Sequence, residues 1–273
     1  MPELPEVETV RAGLEPKLVG RRLDDVRILD SRLTRPLDPA EVAAELTGER
    51  VRAVDRRGKY LILRFESGLV LLIHLRMTGT LVHSRNGAPI EGHVRAVVRL
   101  DDESDVVYRD IRRFGTWLVL RGDELDAYLA ARLGREPLEA SFSAGDLGER
   151  LRGRKLPLKA ALLDQRTVAG VGNIYADEAL WRARLHPARP AGELGARELR
   201  ALHRGLREAL DAGIERQGAT LRDYRTPEGV AGTMQHEFKV YGRAGEPCQR
   251  CGASIAKTRL GGRGTWFCPA CQS

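Results

Sequence analysis

Four cysteines in the last 26 residues form two close pairs, Cys248 with Cys251 and Cys268 with Cys271, separated by 16 residues. Zn²⁺ prefers four soft ligands in a tetrahedron, and each Cys-x-x-Cys corner supplies two thiolates to one side of the ion. A segment this short has little hydrophobic core, and metal binding would therefore supply the energy that folds it. We therefore predict one structural zinc ion, because a site closed by four thiolates has no open position for catalysis.

Two disulfides are the alternative for these cysteines, and a redox-active pair is another. The N-terminus MPELPEVETV lacks the basic head and apolar core of a secretion signal, and disulfides are rare in reducing compartments. The segment Lys257–Phe267 between the pairs predicts a β-hairpin whose glycine-rich tip carries Arg263. Residues 235–273 hold six cations and two acids, which suits a finger that grips phosphate, although a solvated basic surface has the same composition.

The N-terminus offers a second kind of chemistry. Pro2 is small enough for Met1 to be removed, which would expose a secondary amine. An α-amino group has an ordinary pKa near ~8, so it is more nucleophilic at neutral pH than lysine and can form an iminium with a sugar. Glu3 and Glu6 can serve as general acid and positioning group, but residues of these types at a helix start are also ordinary capping groups.

Charge and composition narrow the class of protein. The chain has 273 residues and a net charge of +7, and only six of its 45 basic residues are lysine. Arginine pairs with phosphate through two hydrogen bonds, which favours a nucleic-acid partner, although a GC-rich genome also favours arginine codons. No apolar run approaches the ~20 residues of a membrane helix. We expect a cytoplasmic protein with no membrane association.

Two kinds of element must position these groups. Residues 5–19 predict a helix with Val7, Val10, Leu14 and Leu18 on one face. From about residue 50 to 121 the pattern predicts an antiparallel sandwich or barrel, with strands at Tyr60–Phe65, Leu69–Leu75, Val94–Leu100, Val106–Tyr108 and Thr116–Leu120.

Helices are predicted after about residue 122: Asp123–Leu133, Ala144–Arg152 capped by Ser143, Leu158–Leu163, Ile174–Arg184 and Arg197–Ile214. Residues 217–235, rich in glycine and poor in large apolar groups, predict a mobile loop. We divide the chain into a domain over 1–122, a linker or helix over 123–142, a helical domain over 143–235 and a zinc module over 236–273.

Several motifs together resemble one known family. Pro2-Glu-Leu-Pro-Glu-Val-Glu-Thr9, Asp110-Ile-Arg-Arg-Phe-Gly115, Val171-Gly-Asn-Ile-Tyr-Ala-Asp-Glu178, Val240-Tyr-Gly-Arg243 and the four-cysteine finger occur in this order. They resemble the motifs of bacterial formamidopyrimidine-DNA glycosylase and cover essentially the whole chain.

The resemblance implies an α+β fold: an N-terminal antiparallel β-sandwich with flanking helices, a helix–two-turns–helix domain and a C-terminal β-hairpin zinc finger. It implies a monomeric, nucleoid-associated bacterial enzyme that binds double-stranded DNA containing an oxidised base. Such enzymes flip the damaged nucleotide out of the duplex, excise 8-oxoguanine or formamidopyrimidines, and cleave the abasic strand.

Site roles follow from the same resemblance. Pro2 matches the nucleophile, Glu3 the general acid and Glu6 a supporting group, while Lys59 matches a lysine of β-elimination and Arg263 an arginine of δ-elimination. Met77, Arg112 and Phe114 match the three residues that fill the space left by the flipped base. His74, His93, Arg154, Asn173 and Tyr241 match further DNA contacts; Asn173 fits a phosphate seat at a helix N-terminus.

Some positions depart from the family pattern. Arg76 stands where the family usually has glycine, and Ile111 replaces the usual proline. The sister branch that resembles endonuclease VIII removes oxidised pyrimidines. The N-terminal motif and the Met77, Arg112 and Phe114 pattern favour the purine branch. A non-catalytic zinc-finger DNA-binding protein would explain the charge and the finger, but not Pro2, Glu3, Lys59 and Arg263 together. A zinc-ribbon transcription module would leave the first 235 residues unexplained.

Overall fold

The computed structural model describes residues 1–85 and 92–273. The chain divides into two compact units: the first contains Met1–Ala131 and Arg216–Thr233, and the second contains Arg132–Glu215 and Met234–Ser273. The domain limits expected from the sequence stay a prediction. They differ from this grouping at residues 216–233. This segment folds with the first unit, although the residues directly before it in the sequence form a helix of the second unit.

Two four-stranded antiparallel sheets form the first unit. One has the order β1 (Leu23–Ile28), β6 (Val94–Leu100), β7 (Asp105–Asp110), β5 (Gly79–Ser84), and the other β2 (Val51–Arg57), β3 (Tyr60–Phe65), β4 (Leu69–His74), β8 (Thr116–Arg121). Side chains of both sheets share one apolar core, so the predicted β-sandwich is confirmed.

The sandwich is accompanied, in the part of the chain that the structure describes, by the helices α1 (Leu4–Leu18), α2 (Pro39–Leu46) and α3 (Gly122–Ala130). The apolar stripe predicted for α1 is confirmed, since Val7, Val10, Leu14 and Leu18 are at most 2% exposed and belong to the core. The predicted strands over Tyr60–Phe65 and Leu69–Leu75 pair as an antiparallel hairpin, with Gly68 at φ 90° in its turn.

The second unit is helical and ends in a hairpin. Its helices are α4 (Ala144–Leu151), α5 (Leu158–Leu163), α6 (Asn173–Ala183) and α7 (Ala196–Glu215), and its strands are β9 (Ala256–Leu260) and β10 (Arg263–Phe267), with short 3₁₀ turns at Ala191–Glu193 and Met234–His236. The Ser143 side chain caps α4 as predicted by accepting from the Asp146 N–H. Close packing of α6 against α7 requires Gly213, because a Cβ there would lie 2.5 Å from the Tyr175 ring.

Some elements were not predicted individually, namely β1, α2, β2 and β5. The β5 sequence Gly79-Thr-Leu-Val-His-Ser84 has no regular alternation and borders the turn of residues 75–79, so neighbouring strands rather than its own pattern define it. In the described part of the chain, no helix has the length and apolar character that crossing a bilayer requires.

Candidate active site and nucleic-acid interface

The start of α1 brings the two predicted acidic residues together. Glu3 is the N-cap residue, and its N–H donates to Glu6 Oε2 at 2.8 Å in a capping box. Both carboxylates are only 2% exposed, and Pro2 is buried beside them. The Pro2 nitrogen is part of a peptide bond as long as Met1 is present, so this arrangement needs Met1 removal to become a free amine.

Glu6 also holds the segment 216–233, which belongs to the same unit. Its Oε1 accepts from the Ala219 N–H at 2.8 Å, and the Tyr224 hydroxyl lies 3.3 Å from the Glu6 carbonyl oxygen. Tyr224 is itself part of the sandwich core. Gly218 has φ 79°, and a Cβ there would lie 2.7 Å from Glu6 Cγ. The segment is thus hydrogen-bonded to the helix start; its mobility stays a prediction.

Lys59 follows Gly58 in the tight turn between β2 and β3. Its side chain is 6% exposed, which is unusual for lysine. Arg56 on β2 donates to Glu8 on α1 at 2.9 Å and to the Gly58 carbonyl at 3.1 Å. These bonds tie α1 to the strand that ends in the lysine turn.

His74 is buried at the end of β4, opposite Tyr60 on β3. Burial, together with the nearby cations Arg76 and Lys59, lowers the pKa of His74 to about 3. Its Nδ1 accepts from the Arg76 N–H at 3.0 Å, so the ring is neutral at pH 7 and its proton lies on Nε2. A neutral N–H donor suits contact with phosphate.

The three residues predicted to fill the space of a flipped base are assembled in the first unit, and we call them the wedge trio: Met77, Arg112 and Phe114. An Arg112 nitrogen lies 3.0 Å from Met77 Sδ, and its guanidinium lies 4.7 Å from the centre of the Phe114 ring. Met77 and Phe114 are 38% and 49% exposed. Large exposed apolar groups beside an arginine are available to a partner.

Next to the wedge trio lies a hollow of about 480 Å³. Met1, Met77 and Phe114 line it together with arginines 32, 35, 76 and 113, and no carboxylate of residues 1–85 or 92–273 does. Arg113 is neutralised by two hydrogen bonds to Asp30, which hold the pKa of Asp30 down to about 2. The other three arginines give this surface a positive charge that suits phosphate. His93, which is exposed, accepts through its carbonyl from the Asp110 N–H, at the end of the strand that precedes Arg112 and Phe114.

The second unit places Asn173 at the first position of α6, after Gly172, as predicted. Its Nδ2 donates to the Gly264 carbonyl of the hairpin at 3.1 Å, and its Oδ1 is buried without a hydrogen-bond partner among the described residues. Tyr241 packs on Trp266 at 4.5 Å between ring centres. The two predicted DNA contacts therefore lie against the finger hairpin.

Two predicted cations of the second unit differ in their surroundings. Arg154 is half-buried and donates to Asp164 at 3.0 Å. Arg263 is exposed at the start of β10, as expected for the tip of the hairpin.

Two buried acidic residues that were not predicted from the sequence support the residues around Asn173 and Tyr241 in the second unit. Glu178 accepts from the backbone N–H groups of Lys239, Val240 and Tyr241 at 2.9–3.1 Å. Asp177 forms a fully buried ion pair with Lys159, whose Nζ also bonds the Gly264 carbonyl and the Thr265 hydroxyl. Burial raises the pKa of Asp177 to about 7, against the influence of Lys159. The sequence motif that ends at Asp177 and Glu178 was recognised, but nothing in it indicates partners more than sixty residues later in the chain.

The four cysteines converge as predicted. Their sulfur atoms all lie within 4.8 Å of one another, and Cys251 Sγ is 3.5 Å from Cys268 Sγ. A tetrahedron with Zn–S bonds of ~2.3 Å has sulfur–sulfur edges of about 3.8 Å, so the four thiolates fit one zinc ion. The Trp181 indole N–H donates to Cys248 Sγ at 3.4 Å. Zinc here is structural, because the four thiolates fill its coordination.

A β-sandwich that begins at a buried proline–glutamate pair, joined to a helical unit with a four-cysteine finger, defines a base-excision-repair DNA glycosylase with AP lyase activity. Three family profiles match: the formamidopyrimidine-DNA glycosylase N-terminal domain over residues 1–117, its H2TH domain over 133–225, and the zinc finger found in FPG and IleRS over 245–273. The chain belongs to the formamidopyrimidine-DNA glycosylase family.

Individual relatives agree with this assignment. Formamidopyrimidine-DNA glycosylases of Roseiflexus sp. and Geobacillus kaustophilus are 47% and 45% identical to the chain, over the full length of both proteins in each pair. The Lactococcus lactis Fpg in complex with abasic-site DNA is 38% identical, with a TM-score of 0.93 and 99% of each chain covered. MutM in complex with DNA containing carbocyclic 8-oxo-G is 39% identical, with a TM-score of 0.92 and both chains fully covered.

Proposed function

We propose that this glycosylase removes oxidised purines, 8-oxoguanine and formamidopyrimidines, from duplex DNA through the amine of Pro2. The observation that carries the proposal is the start of α1, where Pro2 adjoins the buried side chains of Glu3 and Glu6 and the Glu3 backbone N–H donates to the Glu6 carboxylate. Relatives in complex with Fapy-dG DNA and with 8-oxo-G DNA support the choice of purines. In the cell, the enzyme would act on the DNA of the bacterial nucleoid.

The reaction follows from the groups present. The Pro2 nitrogen attacks C1′ of the damaged nucleotide, the glycosidic bond breaks and the base leaves. Glu3 protonates the sugar ring oxygen, so the ring opens and an iminium forms between Pro2 and C1′. Loss of a C2′ proton to solvent then breaks the C3′–O bond and expels the 3′ phosphate. Loss of the C4′ proton breaks the C5′–O bond and expels the 5′ phosphate, and hydrolysis of the remaining bond between Pro2 and the sugar fragment returns the free amine.

Cations stabilise the leaving phosphates. Lys59 precedes Tyr60, which pairs with His74 across β3 and β4, and we assign Lys59 to the first elimination. Arg263 at the hairpin tip is assigned to the second. Arg154, Asn173, Tyr241, His74 and His93 hold the DNA backbone, and the wedge trio fills the space of the flipped nucleotide.

Borohydride trapping tests the nucleophile. Borohydride reduces an iminium, so wild-type protein with processed N-terminus, verified by intact mass, must form a covalent adduct with 8-oxoguanine duplex. Pro2→Gly keeps a primary amine and should trap far less, whereas Glu15→Gln, on the exposed part of α1, should trap like wild type. Full activity of Pro2→Gly, or of protein that retains Met1, would refute the proposed nucleophile.

Competition between lesions tests the substrate. A duplex with 8-oxoguanine opposite cytosine should be processed in preference to one with an oxidised pyrimidine. The reverse preference would place the enzyme with the endonuclease VIII branch. Arg263→Ala should leave β-elimination product in place of the doubly phosphorylated gap; an unchanged product would remove Arg263 from the second elimination.

A further inference from the structure

Two turns present the wedge trio, and both lie on the same pair of buried side chains. Met77 belongs to the turn after β4, and Arg112 and Phe114 belong to the turn between β7 and β8. Tyr108 and Asp110, at the end of β7, are 0% and 1% exposed. We call this pair the Tyr108–Asp110 platform.

The Asp110 carboxylate is hydrogen-bonded to both turns. Its Oδ1 accepts from the Thr78 hydroxyl, next to Met77, and from the Arg112 N–H at 3.2 Å. Its Oδ2 accepts from the Gly115 N–H at 2.7 Å, next to Phe114. The Thr78 oxygen also accepts from the Arg112 N–H at 3.0 Å, so the two turns are bonded to each other as well.

Glycines on both turns pack against the other half of the platform. A Cβ on Gly79 would lie 2.5 Å from the Tyr108 hydroxyl oxygen, and a Cβ on Gly115 would lie 1.6 Å from it. The Tyr108 ring is fixed in turn against Trp117, at 5.6 Å between ring centres. Neither turn can shift relative to the platform without breaking a buried hydrogen bond to Asp110 or losing the close contact of its glycine with Tyr108.

We propose that Asp110 is a positioning residue that fixes the wedge trio as a single rigid unit before DNA arrives. It touches no reacting atom and acts through Thr78, Arg112 and the Gly115 N–H. This inference rests on the proposed role of the wedge trio. Filling the space of an extruded nucleotide requires three side chains in register, and a misplacement of ~1 Å at a functional site costs up to about 10²-fold in rate.

Asp110→Asn tests the inference, because it keeps the shape but replaces one acceptor by a donor that faces an N–H or hydroxyl. We expect kcat/KM on 8-oxoguanine duplex to fall about 10- to 100-fold. Cleavage of single-stranded abasic DNA should stay within about twofold of wild type, since a single strand has no opposite base to wedge against. The fluorescence of 2-aminopurine opposite the lesion, which reports unstacking by the wedge, should fall with the duplex rate.

Matched variants separate positioning from folding. Thr78→Val should reproduce the loss, and Thr78→Ser, which keeps the hydroxyl, should restore duplex activity. Asp105→Asn alters a buried carboxylate at the other end of the same strand, bonded to Arg99, and should leave the duplex rate and the fluorescence unchanged. If Asp110→Asn behaves like Asp105→Asn, or lowers single-strand cleavage equally, the inference is overturned.

Alanine variants of the wedge trio distinguish failure of the inference from failure of the proposed function. If Met77→Ala and Arg112→Ala weaken the duplex reaction and the fluorescence while Asp110→Asn does not, only the positioning role fails. If both alanine variants match wild type in duplex rate and fluorescence, the role of the trio fails, and the positioning role with it.

Discussion

His74 should make the stability of the first unit depend on pH. Its folded-state pKa of about 3 lies below the ordinary value of 6.5, so the native protein binds fewer protons than the unfolded chain between these values. The contribution of His74 is therefore fully present above pH 6.5 and is lost as the pH falls toward 3. One pKa unit corresponds to 1.36 kcal/mol, so lowering the pH from 7 to 5 costs about 2 kcal/mol.

Urea denaturation at pH 7 and pH 5 measures this cost. His74→Asn is the matched variant, because the asparagine oxygen can accept from the Arg76 N–H as Nδ1 does but does not titrate. The wild type should lose about 2 kcal/mol more than the variant between the two pH values. Equal losses would refute the reasoning, since the buried ring would then titrate alike in the folded and unfolded states.

Three further outcomes are expected. Lys159→Met leaves Asp177 buried without its cation and should lower the free energy of unfolding by about 3–5 kcal/mol. Adding Asp177→Leu to this variant should recover part of the lost stability. A loss below about 1 kcal/mol in Lys159→Met would contradict the prediction. Trp181→Phe removes the N–H donor to Cys248 and should speed zinc release to a chelator roughly tenfold. Arg204→Ala, at an exposed position of α7, is the control and should release zinc at the wild-type rate. An unchanged rate in Trp181→Phe would show that this hydrogen bond does not help to hold the zinc ion. Gly218→Ala places a Cβ on a left-handed backbone and against the Glu6 side chain, so the rate of duplex cleavage should fall about tenfold. Gly229→Ala has the same backbone conformation but open space around the Cβ, so it should lower the rate less. Equal losses would assign the effect to backbone strain alone.

Local patterns predicted the elements whose own sequence carries a strong period. Strands Tyr60–Phe65 and Val94–Leu100 and helix Leu158–Leu163 have the predicted bounds. Helix α2 begins at a proline capped by Asp38 and is only eight residues long, so its apolar face is too brief to stand out. Strand β5 is defined by its partner β7 rather than by alternation of its own.

The candidate site divides in the same way. Motifs located the cysteines, the N-terminal acids and Asn173, because each group has a short, fixed spacing in sequence or lies at a helix start. The supporting contacts were not predictable, since Asp110 acts on a turn more than thirty residues earlier and Lys159 on a hairpin more than one hundred residues later. Such contacts depend on tertiary packing, which a single sequence does not encode locally.

The first unit is discontinuous in the chain, and this affects how the protein can be made. Residues up to Ala131 cannot complete their own core on the ribosome, because Tyr224 belongs to that core and Ala219 supplies the N–H that Glu6 accepts. At ~5–20 residues per second, the nascent sandwich waits on the order of 5–20 s for these residues. Glu6 therefore obtains its final partner only late in synthesis, so a truncated product has both N-terminal acids but lacks the segment that Glu6 holds.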